Sequence, residues 1–140
     1  MRQDGSLMTT LRVYVYKGCD TCRKALKYLE RRGIAYETLP IREQPPELEE
    51  LERMLKALNG HIKGLFNTAG QDYRSMNLKD TLPNWSESEA LNALSQNGNL
   101  VKRPFALMGE HGVVGFREPE WDALLKEILP VAKSSSSQLS

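Results

Sequence analysis

Apolar and polar residues alternate over residues 11–16, LRVYVY, which are rich in β-branched and aromatic side chains. This alternation predicts a β-strand. From Asp20 onward the apolar residues change to helical spacing, and Gly33 is placed to end the predicted helix. The apolar stripe of this helix consists of Cys22, Ala25, Leu26 and Leu29. Residues 34–40 predict a second strand, which a right-handed crossover would place parallel to the first.

The middle of the chain, about residues 46–97, is predicted to be an all-α insertion that is less regular over residues 61–83. Its first helix follows a pair of prolines and carries acidic residues in its first turn, where the helix dipole favours negative charge. The predicted buried face of that helix is Leu48, Leu51, Leu55 and Leu58. Short helical turns are expected around residues 62–66 and 73–77. Ser86 and Glu89 fit the S-x-x-E capping box of a further helix.

The last third of the chain predicts a hairpin and a helix. RPFALM and GVVGF are interpreted as two strands joined about the GEHG segment, and a helix starts at Pro119. The order of elements indicates a central sheet covered by helices. With a Cys-x-x-Cys pair after the first strand, it indicates an α/β, thioredoxin-like three-layer core. The core has a mixed sheet, flanking helices and an all-α insertion at about 46–97.

Length and charge narrow the classes of protein that this chain can represent. Its 140 residues are enough for one domain with its own core, and its formal net charge of +1 lacks the strongly basic character of nucleic-acid-binding proteins. No apolar run approaches the roughly 20 residues of a membrane helix. We expect a cytoplasmic protein with a single domain over residues 11–131. Residues 1–10 are interpreted as a flexible extension and the serine-rich residues 132–140 as a disordered tail.

The two cysteines of the chain, Cys19 and Cys22, lie in the segment KGCDTCRK. Two cysteines in a chain of this length do not indicate a disulfide scaffold. A zinc site needs two more ligands, and the histidines, His61 and His111, lack a zinc-finger spacing, so no metal is expected. Between a strand and a helix, a close pair is typical of redox chemistry, and two buried, inert cysteines are the alternative.

The position of Cys19 at the start of a helix assigns it the reactive role. Free backbone N–H groups and the helix dipole favour a thiolate there, and such settings lower a cysteine pKa from about 8.5 to roughly 3.5–7.5. Asp20 opposes this shift. Arg23 lies in the first turn, where a cation is unfavourable unless a thiolate or a bound oxyanion lies nearby. Cys22 is on the apolar stripe, so Cys19 is the predicted nucleophile and Cys22 the resolving thiol.

The segment KRPF places Pro104 at the start of a predicted strand, where the missing N–H is tolerated. In thioredoxin-like folds a cis-proline occupies this place, and we therefore expect a cis Arg103–Pro104 bond. Arg103 would then point towards Cys19, where its planar donor fork suits a thiolate or a substrate anion. Arg117 follows the last strand and, with Arg23 and Arg103, is able to surround one oxyanion. The alternative is that Arg103 and Arg117 are solvated surface charges.

Four segments in order, GCDTCRKALKYLE, FNTAGQDYRSMNLKD, NGNLVKRPF and VVGFREPEW, resemble the arsenate-reductase-like (ArsC) family and its Spx/MgsR-type relatives. The resemblance covers about residues 11–129. It implies a thioredoxin-like fold with a helical insertion, and structural roles for Gly18 and Pro104.

One function that the resemblance implies is that of glutaredoxin-dependent arsenate reductases, in which a cysteine attacks arsenate. Cys19 matches that cysteine, and Val15 stands where those enzymes carry a histidine. The arginine of their insertion is matched by Lys63, unless Arg74 substitutes for it. The other matching anion-binding residues are Arg23, Arg103 and Arg117. No bound cofactor is implied, and the reductant would be a thiol such as glutathione or glutaredoxin.

The second implied function is that of the Spx/MgsR-type regulators. They use Cys-x-x-Cys as a disulfide switch and bind the C-terminal domain of the α-subunit of RNA polymerase. The residues Cys19, Cys22 and Arg103 match this pattern too. Neither direct nucleic-acid binding nor a membrane partner is expected. We favour a thiol–disulfide oxidoreductase, with the redox-sensing regulator as the alternative, so the sequence leaves open whether the protein is an enzyme.

Overall fold

The computed structural model describes residues 10–132, with side chains as far as Leu129. Its four strands form one mixed sheet in the order β2-β1-β3-β4. The strands are β1 (Leu11–Val15), β2 (Tyr36–Pro40), β3 (Phe105–Met108) and β4 (His111–Val114). β1 is parallel to β2 and antiparallel to β3, and β3 is antiparallel to β4. The predicted N-terminal extension and serine-rich tail lie almost wholly outside the described residues.

Six α-helices and three 3₁₀ turns make up the helical part of the described chain. The helices are α1 (Asp20–Arg31), α2 (Leu48–Ala57), α3 (Gln71–Ser75), α4 (Leu78–Thr81), α5 (Glu87–Gln96) and α6 (Glu118–Ala132). The 3₁₀ turns are Ile62–Leu65, Leu82–Asn84 and Gly98–Leu100. The helical insertion is thus confirmed. The sequence did not predict α4, because four residues are too short to show an apolar period.

Alternation along the strands separates the core into two layers on either side of the sheet. Leu11 and Val13 of β1 pack with α1 and α6, whereas Tyr14 packs with the helices of the insertion. In β3, Ala106 joins the first layer and Phe105 the second. The sheet is therefore covered on both faces, as the sequence predicted. Within the described residues, no helix combines the length and apolar character that crossing a membrane requires.

The β3–β4 hairpin has a tighter turn than the GEHG segment predicted. Met108 pairs directly with His111, so the turn contains only two residues, Gly109 and Glu110. The φ angle of Gly109 is +62°, a left-handed conformation that two-residue hairpin turns favour and glycine adopts without strain. β4 consequently begins at His111, and its last residue, Val114, lies opposite Phe105 at the start of β3.

The buried face of α2 also differs from its predicted leucine stripe. Leu48 is 44% exposed, whereas Glu50 is only 6% exposed. The carboxylate of Glu50 accepts a hydrogen bond of 2.6 Å from the Tyr14 hydroxyl, and its other oxygen lies 3.2 Å from Nε of Arg12. A buried charge is tolerated when it is paired and hydrogen-bonded, and these two residues of β1 provide both. The network ties the insertion to the central sheet.

We expect Tyr14→Phe to lower the free energy of unfolding by about 1.5–3 kcal/mol at neutral pH, the range for a hydrogen bond to a charged group. Burial, together with the bond to Glu50, raises the pKa of Tyr14 above its ordinary value of 10. Because the folded pKa is the higher one, this stabilisation is complete below pH 10 and is lost as the pH rises further. Urea unfolding followed by tryptophan fluorescence measures the difference at each pH.

Tyr36→Phe is the matched control for this variant, because the Tyr36 hydroxyl also donates to a glutamate, Glu30, but at an exposed position. It should change the free energy of unfolding by less than Tyr14→Phe does. Equal losses in the two variants would contradict a special contribution of the buried Glu50 network.

Candidate redox site

Cys19 is held at the N-terminus of α1 by a tight turn that follows β1. Its N–H donates to the carbonyl of Tyr16 at 3.0 Å, and its own carbonyl accepts the first helical bond, from Arg23, at 3.2 Å. The chain passes Tyr16 closely, since a Cβ atom on Gly18 would lie 2.9 Å from the Tyr16 ring. A glycine at position 18 therefore lets the turn close and places Cys19 as the N-cap residue.

The sulfur of Cys19 takes the place of the usual capping oxygen. Sγ accepts a hydrogen bond of 3.2 Å from the backbone N–H of Cys22, one of the N–H groups that have no partner inside the helix. Both cysteines are free thiols. A negative sulfur at this position would gain from the N–H group and from the helix dipole. The geometry thus directs Sγ of Cys19 towards the free N–H groups at the start of α1.

Cys22 lies behind Cys19 on the buried face of α1 and is 2% exposed, whereas Cys19 is half-buried. Burial raises the pKa of the Cys22 thiol to about 12, and its hydrogen bond with the Cys19 side chain adds to this effect. The positive charge of Arg103 acts on the Cys22 pKa in the opposite direction. At neutral pH Cys22 is therefore the protonated, shielded partner of an accessible Cys19.

Arg103 reaches the cysteine turn from the far half of the chain. Its bond to Pro104 is cis, as expected from the sequence. Its guanidinium group lies 5.3 Å from the ring centroid of Tyr16, and its Nη2 donates to the carbonyl of Asn99 at 3.4 Å. Because β3 runs antiparallel to β1, the start of β3 lies beside the end of β1, where the cysteine turn begins.

The candidate site opens into a groove of about 1280 Å³. Cys19, Arg103 and Arg117 all line it, so three of the predicted site residues share one space. Arg117 is largely exposed and lies 3.8 Å from the carboxylate of Glu120. Lys102 also lines the groove.

Two predicted anion-binding residues, Arg23 and Lys63, are not among the residues that line this groove. Arg23 donates to the carbonyl of Lys17 at 3.0 Å and pairs with the carboxylate of Asp20, one turn away. This local pair offsets the Asp20 charge next to Cys19. Lys63 is exposed in the 3₁₀ turn Ile62–Leu65.

Two groups that hold Arg103 were not predicted from the sequence. The Tyr16 ring contacts two guanidinium groups, since Arg42 lies 4.8 Å from its centroid in a second cation–π contact. Asp72 receives a hydrogen bond of 3.0 Å from Asn97 and one of 3.4 Å from Asn99, the residue whose carbonyl binds Arg103. The only sequence signal for the contact between Asp72 and the asparagines is the clustering of amide side chains before KRPF.

A metal centre is not assembled in the part of the chain that the structure describes. Among residues 10–132, no group of three or more His, Cys, Asp or Glu side chains is arranged to hold a metal ion. His111 instead lies 2.8 Å from a carboxylate oxygen of Glu127. Of the two cysteines, only Cys19 lines the groove, together with the cations Lys102, Arg103 and Arg117.

The sheet, its flanking helices and the dithiol at the start of α1 define a thioredoxin-like α/β protein. A solved structure of an ArsC-family-related protein from Bacteroides fragilis superimposes with a TM-score of 0.77 and 35% identity, covering 82% of this chain and 98% of that one. A sequence model of the ArsC family matches residues 14–124. The chain therefore belongs to the ArsC family.

Curated relatives differ in the functions that their names state. YusI of Bacillus subtilis, an uncharacterised protein, is 42% identical over 81% of this chain and 96% of its own length. The global transcriptional regulator Spx of Streptococcus mutans is 26% identical over 84% of this chain and 83% of its own. An arsenate reductase of Neisseria meningitidis is 28% identical over 77% of this chain and 92% of its own.

The geometry of the two thiols predicts that iodoacetamide labels Cys19 but not Cys22 in the folded protein at neutral pH. With a pKa of about 12, the thiolate fraction of Cys22 at pH 7 is on the order of 10⁻⁵, and its side chain is shielded as well. Peptide mapping by mass spectrometry measures the two rates. In urea both cysteines should react, which serves as the control, and equal rates in the folded protein would contradict the assignment.

Proposed function

We propose that this chain is a thiol–disulfide oxidoreductase in which Cys19 is the nucleophile and Cys22 the resolving thiol. The observation that supports it is the N-cap geometry, in which Cys19 Sγ accepts the N–H of Cys22 while Cys22 itself is buried. This arrangement presents one sulfur to a substrate and keeps the second one turn behind it. Two inert cysteines would not need this division of exposure.

The proposed reaction transfers two electrons from the protein to the substrate. The Cys19 thiolate attacks one sulfur of a substrate disulfide, forms a mixed disulfide and releases the other sulfur as a thiolate. Cys22 then loses its proton and attacks Sγ of Cys19, which releases the second substrate thiol. The protein ends with a Cys19–Cys22 disulfide, and glutathione or glutaredoxin is the proposed reductant that restores the dithiol.

Arg103 is the cation that we assign to the reacting sulfur. Its charge acts on the thiol of Cys22, it lines the groove with Cys19, and its planar fork is held over Tyr16. Arg117 is the proposed second contact for an anionic substrate, since it lines the same groove. Arg23 is assigned to compensating Asp20. The structural role proposed for Gly18 and Pro104 is to set the two facing turns.

Cys22→Ser should convert the protein from a turnover catalyst into a trap. Cys19 still attacks bis(2-hydroxyethyl) disulfide, but no second thiol displaces the product, so a mixed disulfide accumulates at Cys19. Intact-mass spectrometry should show the added 2-mercaptoethanol group at a stoichiometry of one. Wild-type protein should instead form the internal disulfide, and glutathione with glutaredoxin should support steady turnover.

Thr21→Ser is the matched control for the trap, because Thr21 is the exposed residue directly before Cys22 and the change keeps a hydroxyl at this position of the groove lining. It should behave as the wild type does, whereas Cys19→Ser should form no adduct. A mixed disulfide on Cys22 in the Cys19→Ser variant, at the wild-type rate, would overturn the assignment of roles.

A redox-sensing regulator is the second candidate function, and the similarity to Spx supports it. In this proposal the Cys19–Cys22 disulfide is a switch, and the partner is the C-terminal domain of the α-subunit of RNA polymerase. Both candidates use the same dithiol, and both place the protein in the cytoplasm. They differ in whether the chain consumes a substrate or changes its binding to a protein.

One pair of measurements separates the enzyme from the regulator. If the chain is a reductase of the arsenate-reductase type, arsenate should drive thiol consumption in the presence of glutathione and glutaredoxin, and Cys19→Ser should abolish it. If it is a regulator, the purified C-terminal domain of the polymerase α-subunit should bind with an affinity that changes when Cys19 and Cys22 are oxidised. Turnover without such binding would exclude the regulator, and binding without turnover of arsenate or disulfides would exclude the enzyme.

A further inference from the structure

Strand β4 is an edge of the sheet, and its free side faces the groove that contains Cys19. The strand order places β3 on one side of β4, and no described strand pairs with the other side. One wall of the groove comes from α2 and the Ile62–Leu65 turn, and the other from α6. Residues 110–117, which include all of β4, line the groove between them.

Hydrogen-bond alternation shows which backbone groups of β4 point away from β3. Gly115 donates to the carbonyl of Pro104 at 2.9 Å, in register with the pairing of Val113 with Ala106. In an antiparallel pair the bonded residues alternate, so Gly112 and Val114 direct their N–H and C=O groups away from β3. No described residue forms a hydrogen bond with these outward groups outside the sheet. The free edge thus offers two donors and two acceptors in a line.

This row of groups fits the backbone of an extended polypeptide, which presents donors and acceptors at the same repeat. β4 and the turn after it run antiparallel to β3, so the end at Val114 lies beside Pro104 and Arg103, on the side of the thiol. The groove is continuous from Cys19 to His111, and four residues of strand span about 14 Å. A segment of about five residues would occupy it.

The charges along the groove specify the chemistry of that segment. Lys102 and Arg103 lie at the thiol end, where the side chain of Lys102 passes over Gly115. Arg117 and Glu120 also line the groove and form an ion pair of 3.8 Å with each other. Glu110 and Glu127 lie at the other end, where Glu127 contacts His111 at 2.8 Å. A complementary segment carries an acidic residue near its reacting cysteine and a basic residue about four positions away. Charge complementarity thus favours a polypeptide with opposite charges at its two ends.

We propose that β4 docks an extended, cysteine-containing polypeptide as an added edge strand, so that a disulfide on that polypeptide reaches Cys19. The substrate class of the groove is then a peptide or protein disulfide. This inference rests on the proposed thiol–disulfide function and names its substrate. Cys19 attacks the disulfide sulfur of the docked segment or of its leaving group, Cys22 resolves the mixed disulfide, and the two electrons of the dithiol reduce the substrate to two thiols.

The test uses wild-type protein and a synthetic peptide of nine residues with alternating valine and threonine. Its central cysteine is joined by a disulfide to 2-mercaptoethanol, its flanking residues are acidic, and each end is a lysine so that either strand direction fits. Two further peptides carry backbone N-methyl groups, one on the residues at even distances from the cysteine and one on those at odd distances. The small disulfide bis(2-hydroxyethyl) disulfide serves as the reference substrate.

We expect kcat/KM to fall about tenfold for one of the two methylated peptides, which loses a pair of backbone bonds to β4, and to stay unchanged for the other. An edge strand requires this difference, because only alternate residues of the segment face β4. Equal rates for all three peptides, or equal losses in both methylated peptides, would overturn the docking proposal. A low concentration of peptide that lacks the disulfide should leave the rate of reduction of bis(2-hydroxyethyl) disulfide unchanged.

A second measurement does not depend on redox chemistry. The same peptide with serine in place of cysteine should shift the backbone amide resonances of Gly112 and Val114, whereas a peptide with its charges reversed should shift them less. Failure to reduce bis(2-hydroxyethyl) disulfide would refute the proposed function alone, since these shifts would still report docking. Two results would refute the docking proposal alone. One is the absence of these shifts. The other is a set of shifts that follow the protein concentration and not the peptide concentration, because a second copy of the chain then occupies the edge.

Discussion

The hydrogen bond from the N–H of Cys22 to Sγ of Cys19 is the interaction on which the candidate site depends. It makes a sulfur atom the cap of α1, so that the first helix orients the thiol. The tight turn from Tyr16 to Cys19 brings the sulfur to that position, and the missing side chain of Gly18 leaves room for the Tyr16 ring. Cys22 is buried because it lies three residues further along α1, on the face of the helix that packs against the core.

Sheet topology supplies the second half of the site. Because β3 is antiparallel to β1, the turn with Arg103 and Pro104 meets the end of β1, and the end of β4 returns to the same side of the sheet. The insertion contributes indirectly, since Asp72 holds the Asn97–Asn99 segment and the Asn99 carbonyl holds Arg103. The buried Glu50 carboxylate fastens the insertion to β1. Through these bonds α3, which carries Asp72, helps to set the position of Arg103.

Local patterns were sufficient for most of the fold. The four strands, α1, the capping box of α5 at Ser86 and Glu89, and the start of α6 were predicted, since each depends on residues that are close in sequence. The buried face of α2 was partly wrong, because partners on β1 stabilise Glu50 there and leave Leu48 in solvent. The hairpin turn was also shorter than predicted, since the register of β4 on β3 is a property of the pair.

The sequence by itself determined the local features that the proposed chemistry uses: two cysteines at the start of a helix, one at its N-terminus and one on the apolar stripe, and a proline that opens a later strand. Only the tertiary structure decided which cations join the thiols. Arg23 forms a pair with Asp20 one turn away, whereas Arg103 and Arg117 reach the groove through the antiparallel pairing of β3. Among the described residues, it also left one side of β4 without a pairing strand, in the groove that Cys19 lines. Both outcomes depend on strand order, which is set by contacts between segments far apart in the chain.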